Sequence, residues 1–61
     1  MLIDNNATYY SNRAQAYINL NANEEALKDA EEAIKLDSNF TRAYGRKATA
    51  QYNLKQYILA N

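Results

Sequence analysis

A segment near the start of the chain returns near its end, and this internal repeat constrains the fold more than any other feature. Shifting the sequence against itself by 34 residues aligns residues 9–17 with residues 43–51. Identical residues then pair along the overlap: Leu2 with Leu36, Asn5 with Asn39, Tyr10 with Tyr44, Ala14 with Ala48, Ala16 with Ala50, Asn19 with Asn53, Leu20 with Leu54 and Ala26 with Ala60. A period of 34 residues is typical of stacked helical hairpins. The sequence therefore predicts one structural unit that is used twice.

Apolar residues three or four positions apart predict three α-helices, near residues 7–20, 23–36 and 40–54, and no strand. The packed stripe of the first helix contains Tyr10, Ala14, Tyr17 and Leu20. The second contributes Ala26, Leu27, Ala30, Ala33 and Ile34, and the third Ala43, Tyr44, Ala48 and Leu54. From these stripes we expect burial of Tyr10, Ala14, Tyr17, Ala26, Ala30, Ala33, Tyr44 and Ala48.

Capping residues predict where the helices begin. Residues 4–6 are Asp-Asn-Asn, good N-caps that delay the first helix until about Ala7. Asn21 and Glu24 have the spacing of a capping box for the second helix, so the short connection before it predicts an antiparallel hairpin.

The size and composition of the chain exclude several classes of function. Its 61 residues allow one small domain of marginal stability. It has no cysteine and no histidine, which excludes disulfides, the usual zinc sites and histidine-based catalysis. We therefore expect no enzymatic activity, no cofactor and no bound metal.

Charge and hydropathy give no sign of a membrane or nucleic-acid partner. The net charge is zero, and six of the seven acids lie within residues 24–37. Most of the bases lie in the two copies of the opening segment, so we expect one acidic and one basic side. The longest apolar run is far too short to span a membrane, and neither a signal peptide nor a large basic excess is present. We expect a reducing, cytosolic setting.

These residues resemble the tetratricopeptide repeat, a family of 34-residue helix-turn-helix units stacked into a superhelix. The alanines that carry the resemblance are Ala14, Ala26, Ala33, Ala48 and Ala60, with Tyr17 and Leu20 at positions where the family prefers large residues. The resemblance implies an all-α fold of antiparallel helical hairpins stacked as an α-solenoid fragment. It covers residues 1–61 as one module of about one and two-thirds repeats, the first near residues 7–40 and a partial second near residues 41–61.

Residues 10–14 and 42–48 resemble a narrower subgroup, the co-chaperone domains that bind the C-terminus of heat-shock chaperones. In that subgroup a carboxylate clamp holds the last aspartate of a Glu-Glu-Val-Asp tail. The resemblance implies that Asn12 contacts the terminal carboxylate and that Arg46 reaches the aspartate side chain, while Arg42 stands where the subgroup mostly has lysine. The clamp's other lysine and asparagine belong to a preceding repeat and have no counterpart here.

The residues themselves also favour an anion partner. Asn12 and Arg46 are one repeat apart, so they occupy the same place on neighbouring first helices, with axes about 8–10 Å apart. Arg42 lies one turn before Arg46, and two cations at that spacing repel each other. The alternative is that both arginines only cover a solvent face or pair with acids of the second helix. Arg13 and Lys47 are expected to cover the packed tyrosines with their aliphatic stems.

A second hypothesis is a structural or engineered repeat fragment that self-associates and has no ligand. Residues 57–59 are Tyr-Ile-Leu, and residues 53–56 contain no glycine or proline that would force a turn. The third helix is then expected to run straight to about residue 59 and to present Tyr57, Ile58 and Leu59 to a second chain in a homodimer. The alternative for this segment is a frayed tail.

Overall fold

Three α-helices make up most of the chain in the computed structural model, which describes residues 6–60 except the side chains of Tyr57 and Ala60. The helices are α1 (Asn6–Asn19), α2 (Asn23–Leu36) and α3 (Thr41–Ala60), and residues 6–60 contain no strand. The predicted all-α fold of stacked helical hairpins is therefore confirmed. The expected N-caps Asp4 and Asn5 lie outside the described residues.

Helix α2 has the most strongly helix-forming sequence of the three. Its alanine, leucine, glutamate and lysine residues all have high intrinsic helix propensity. Glu24 and Glu25 lie in its first turn and Lys35 in its last, so the charges complement the helix dipole. Its apolar residues form a narrow stripe that packs against helices on two sides, because α2 contacts both α1 and α3.

The connection between α1 and α2 is a helix C-cap built around Asn21. This residue adopts the left-handed conformation, with φ 64°. The Ala22 N–H donates to the Tyr17 carbonyl at 2.8 Å and the Asn21 N–H to the Ile18 carbonyl at 2.9 Å, the pair of bonds of a Schellman motif. Asparagine tolerates this backbone better than most residues that carry a Cβ.

The predicted capping box at Asn21 and Glu24 is wrong. The N-cap of α2 is Ala22, with no side-chain cap, because Asn21 is used to end α1. Leu20 was expected on the packed stripe, but it falls in the turn just after α1 and is 75% exposed. The helical period that placed Leu20 inside no longer applies once the chain leaves the helix.

The connection between α2 and α3 is closed by hydrogen bonds from both ends. The Asp37 N–H donates to the Ala33 carbonyl at 2.9 Å, and the Asp37 carboxylate accepts from the Asn39 N–H at 3.1 Å. The Tyr44 hydroxyl donates to the Ser38 carbonyl at 2.9 Å, which ties the first turn of α3 to this loop. The end of α2 and the turn before α3 thus depend on Asp37.

Alanine is the residue that joins the three helices. One buried cluster contains Ala7, Ala33 and Ala43, and the other Ala14, Ala26, Ala30 and Ala50, so each cluster includes all three helices. Tyr10, Ile34 and Phe40 pack against the first cluster, and Tyr17, Ile18 and Leu27 against the second. Small side chains let helix axes approach to the lower end of the roughly 8–10 Å range, and the larger residues fill the margins.

Two of the expected core positions, Tyr44 and Ala48, are exposed. Helix α3 packs on α2 with its Ala43 and Ala50 side instead, and Tyr44 is 47% exposed. Tyr10 and Tyr17 are half-buried, whereas Ala14, Ala26, Ala30 and Ala33 are fully buried as predicted. The physical reason is that Tyr44 and Ala48 repeat the α1 residues that face the next helix in the chain. No such helix follows α3 within residues 6–60.

Helix α3 runs without interruption past the predicted end at residue 54. It continues to Ala60, as expected if no turn forms after residue 53. Its backbone therefore carries residues 57–59 on a straight helix, and a frayed tail is not observed there.

Enlarging a buried alanine should destabilise the fold, whereas the same change on the exposed side of α3 should not. We expect Ala33→Leu to lower the free energy of unfolding by about 1–3 kcal/mol, because Ala33 is fully buried between helices. The matched control Ala48→Leu, at an exposed position, should stay within about 0.5 kcal/mol of the unsubstituted chain. Urea unfolding followed by circular dichroism measures both, and equal effects would contradict this packing.

Candidate functional site

The three residues predicted to bind a carboxylate lie on α1 and α3. Asn12 is exposed on α1, Arg42 is exposed in the first turn of α3, and Arg46 is half-buried one turn later. Helices α1 and α3 contact each other directly. The convergence of the three side chains on one concave surface stays a prediction.

The buried clusters define how α1 and α3 lie side by side. Ala7 clusters with Ala43 at one level and Ala14 with Ala50 at the other, so the two helices run parallel with a constant offset. With a rise of about 1.5 Å per residue, Asn12 then lies about 3 Å further along the helix direction than Arg46. This axial offset is smaller than the length of either side chain.

Arg46 contains an unusual buried donor. Its Nε is buried and donates to no acceptor within residues 6–60. A buried donor without a partner costs about 1–3 kcal/mol, and more when the group is charged. The Ser11 hydroxyl is the other buried side-chain atom without a partner in the described part of the chain.

Two acids of α2 pair with bases of the neighbouring helices, and these bases are not the predicted site residues. Arg13 of α1 donates from Nε to Asp29 Oδ2 at 2.6 Å and from Nη2 to Asp29 Oδ1 at 2.9 Å. Lys47, the counterpart of Arg13 in the second repeat, lies 3.8 Å from Glu31. Helix α2 is thus paired with a base on each side, and neither base is Arg42 or Arg46.

The Arg13 side chain also joins the tyrosines of α1. Its guanidinium carbon lies 5.2 Å from the ring centre of Tyr9, 5.4 Å from that of Tyr10 and 5.9 Å from that of Tyr17. The hydrogen bond to Asp29 raises the pKa of Arg13 above its ordinary value, so the side chain stays charged in the neutral range. Arg13 therefore has a structural role beyond the predicted covering of tyrosines.

The Arg13–Asp29 ion pair is a contact that sequence reasoning missed. Asp29 is only 6% exposed, although it is charged. The sequence does contain a signal, because Asp29 lies three residues after Ala26 and four before Ala33, on the edge of the buried stripe. A carboxylate at such a position requires a partner, and Arg13 is on the facing helix.

A cleft of about 360 Å³ lies near the turn between α1 and α2. Asn53 of α3 donates to Asn23 at 3.0 Å, and Asn23 donates to Asn21 at 3.1 Å, so three amides cross-link this end of the bundle. Two of its lining residues are Glu24 and Glu25, and none of the predicted carboxylate-binding residues lines it. The cleft is therefore separate from the predicted site.

No helix in residues 6–60 has both the length and the apolar character needed to cross a membrane.

Comparisons with known proteins agree with the architecture. The family model described as the tetratricopeptide repeat matches residues 7–40. The chain is 49% identical over 53 residues to Hsp70-Hsp90 organizing protein 3 of Arabidopsis thaliana. The aligned segment covers 87% of this chain and 10% of that protein. No solved structure gives a significant match.

Further relatives come from other eukaryotes. The chain is 51% identical over 51 residues to the Hsp70-Hsp90 organizing protein of Triticum aestivum, covering 84% of this chain and 9% of that protein. It is 43% identical over 51 residues to small glutamine-rich tetratricopeptide repeat-containing protein 2 of Saccharomyces cerevisiae, covering 84% of this chain and 15% of that protein. The chain thus spans only a small part of the length of these relatives.

Removing the buried carboxylate should destabilise the chain more than removing the exposed one. We expect Asp29→Asn to lower the melting temperature, because Arg13 loses a charged partner that accepts two of its hydrogen bonds. The control Glu31→Gln should have a smaller effect, because Glu31 is exposed and its Lys47 contact is longer. Thermal unfolding of both variants checks the order, and a larger loss at Glu31 would contradict it.

Proposed function

The chain belongs to the tetratricopeptide repeat family, and we propose that this member is a protein-interaction module that binds the acidic C-terminal peptide of a heat-shock chaperone. Asn12, Arg42 and Arg46 hold the carboxylates of a peptide of the Glu-Glu-Val-Asp type. The names of its relatives, Hsp70-Hsp90 organizing proteins, support chaperones as the partner class. The chain supplies part of a clamp, as its resemblance to the co-chaperone subgroup implies.

The observation that carries this proposal is that neither Arg42 nor Arg46 forms a salt bridge within residues 6–60, and that Arg46 Nε donates to no acceptor there. The competing explanation was that Arg42 and Arg46 pair with acids of α2. In the structure Asp29 pairs with Arg13 and Glu31 with Lys47, and no acid within residues 6–60 pairs with Arg42 or Arg46. A guanidinium presents a planar fork of donors that matches a carboxylate, so a peptide carboxylate is a suitable acceptor.

The start of α3 adds to the attraction for an anion. Its first turn carries Arg42 and no acid, whereas the first turn of α2 carries Glu24 and Glu25. The N-terminus of a helix has a partial positive charge, which a cation there does not offset. An anionic ligand near Arg42 interacts favourably with both the side chain and the helix end. Asn12 supplies a neutral amide donor from α1.

Calorimetric titration with a Glu-Glu-Val-Asp peptide tests the clamp. The free acid should bind more tightly than the same peptide with a C-terminal amide, because amidation removes the terminal carboxylate. Arg46→Gln should weaken binding of the free acid by about 1.5–3 kcal/mol, the value of a hydrogen bond to a charged group. This corresponds to a loss of about 10- to 150-fold in affinity.

Lys55→Gln is the matched control for this titration. It removes one positive charge from the same helix at an exposed position outside the predicted site, so it should leave peptide affinity nearly unchanged. Equal heats for acid and amide, or equal losses for the two variants, would reject the carboxylate clamp.

Self-association is a second candidate function, favoured by the exposed end of α3. Ile58 and Leu59 are each 69% exposed on a continuous helix. Burying such a side chain gains about 1.5–3 kcal/mol, so two copies that covered each other's helix ends would be stabilised. The side chain of Tyr57, which was predicted to take part, lies outside the described residues.

Sedimentation equilibrium over a wide concentration range tests self-association. The average mass should rise with concentration, and the double variant Ile58→Ser with Leu59→Ser should shift the rise to higher concentration. The variant should keep its helical circular-dichroism spectrum, because both side chains are exposed. A monomer at every concentration would remove this candidate without affecting the peptide-binding proposal.

A further inference from the structure

Thr49 lies on the same side of α3 as the two arginines of the proposed carboxylate site. Successive residues of a helix are rotated by about 100°, so Thr49 lies about 20° around the axis from Arg42 and about 60° from Arg46. It is about 4.5 Å further along the helix than Arg46, at a rise of about 1.5 Å per residue. Thr49 is exposed, whereas Ala43 and Ala50 on the packed side of α3 are buried. An exposed hydroxyl therefore follows the two cations on one helix face.

The Thr49 hydroxyl is directed back along α3. It donates to the Gly45 carbonyl at 2.9 Å, in the preceding turn. Side chains of a helix lean towards its N-terminus, and this hydrogen bond holds the hydroxyl on that side. A group attached to Oγ1 is thus directed towards the turn that contains Arg46, and away from the turn that follows.

The sequence around Thr49 is basic. Arg46 and Lys47 lie three and two residues before it, and Arg42 lies seven residues before it. No acid follows Asp37 in the chain, and α1 contains no acid either. An arginine three residues before a serine or threonine, with a second base next to it, is the pattern that arginine-directed protein kinases recognise with acidic grooves.

Thr49 is the one hydroxyl residue in the sequence with an arginine at this spacing. The other serines and threonines are Thr8, Ser11, Ser38 and Thr41. Three of them have no base three residues before them. Ser38 follows Lys35 by three residues, but Asp37 stands directly before it. The basic context therefore selects Thr49.

We propose that Thr49 is a phosphorylation site for an arginine-directed protein kinase, and that its phosphate pairs with Arg46 and Arg42 and thereby occupies the proposed carboxylate site. Thr49 Oγ1 attacks the γ-phosphorus of a nucleoside triphosphate. The Oγ1–P bond forms, the bond from that phosphorus to the β–γ bridging oxygen breaks, and the nucleoside diphosphate leaves. The hydroxyl proton passes to a base of the kinase. The effect on peptide binding rests on the function proposed above, whereas the modification and the pairing do not.

A phosphate on Thr49 competes with a peptide carboxylate for the same donors. It carries a charge of about −1.5 to −2 at neutral pH and three strong acceptor oxygens. Neither Arg42 nor Arg46 forms a salt bridge within residues 6–60, so no acid there competes with the phosphate. Opposite charges three residues apart on a helix attract each other. Because the phosphate is attached to α3, its effective concentration at the arginines is far above that of a free peptide.

Transfer of the phosphate requires α3 to open locally, because protein kinases bind their substrates in an extended conformation. Gly45 lowers the cost of this opening, since glycine inside a helix is about 0.5–1 kcal/mol less favourable than alanine. A Cβ added at Gly45 would meet nothing within 4 Å, so no close contact in the described chain requires glycine there. The helix is therefore weakened one turn before Thr49.

Phosphorylation of the whole chain tests the assignment of Thr49. The chain is incubated with ATP and the catalytic subunit of cyclic-AMP-dependent protein kinase, an arginine-directed enzyme. Mass spectrometry should place one phosphate on Thr49, and Thr49→Val should take up none. The control Ser38→Ala, which removes the hydroxyl that follows Lys35, should be phosphorylated like the unsubstituted chain. A phosphate on another residue, or no phosphate, overturns the assignment.

A chain synthesised with phosphothreonine in place of Thr49 tests the pairing without any peptide. Phosphorus NMR follows the second ionisation of the phosphate, whose ordinary pKa is about 6. This pKa should be lower in the phosphorylated chain than in its Arg46→Gln variant, because a nearby cation favours the dianion. Arg42→Gln, at an exposed position, is a second variant with the same expected direction. Equal pKa values in all three chains reject the pairing.

Calorimetric titration with the free-acid Glu-Glu-Val-Asp peptide measures the consequence. The phosphorylated chain should bind at least about tenfold more weakly than the unmodified chain, whereas Thr49→Val should change affinity by less than about threefold. Thr49→Glu should weaken binding more than Gln51→Glu, which adds the same charge at an exposed position about 160° around α3. Equal affinities for the phosphorylated and unmodified chains reject occupation of the site. If the unmodified chain binds no peptide, the function proposed above fails, and the NMR titration still decides the pairing.

Discussion

Close contact between alanine side chains is the interaction on which the rest of this structure depends. Every buried hydrophobic residue within the described chain is an alanine, and the two buried clusters each join all three helices. Alanine gains little from burial itself, but it allows helix backbones to approach closely and loses no side-chain entropy. The stability of such a core depends on the close fit of its side chains. A larger residue is therefore tolerated on the exposed side of a helix but not on its buried side.

The central place of α2 between two other helices determines which charges are paired. It is the acidic helix, and it receives Arg13 from α1 and Lys47 from α3. These equivalent bases pair with Asp29 and Glu31, whereas Arg42 and Arg46 have no carboxylate partner within residues 6–60. The same packing that forms the core therefore leaves these two arginines without an internal ion pair, which supports the proposal that they bind an acidic peptide.

The two repeats differ in one backbone feature with large consequences. Asn21 ends α1 in a left-handed conformation, whereas the corresponding Lys55 continues α3. Helix α1 is consequently covered by the helix that follows it, and the equivalent surface of α3 is exposed within residues 6–60. A positive φ at Asn21 thus accompanies the reversal of the chain after α1, whereas the helical conformation at Lys55 accompanies the straight α3.

The sequence by itself determined the elements of this protein and much of its function class. A 34-residue period and apolar spacing predicted three helices to within about a residue for α1 and α2, since both signals depend only on local geometry. The sequence also proposed Asn12, Arg42 and Arg46 as carboxylate-binding residues, and that role stays a prediction. The tertiary structure alone decided which side of α3 packs, so that Ala43 and Ala50 are buried and Tyr44 and Ala48 are not. It also decided that Asp29 binds Arg13. A helical stripe shows which residues can share a face, but which face is covered depends on where neighbouring helices lie, and only the folded chain specifies that.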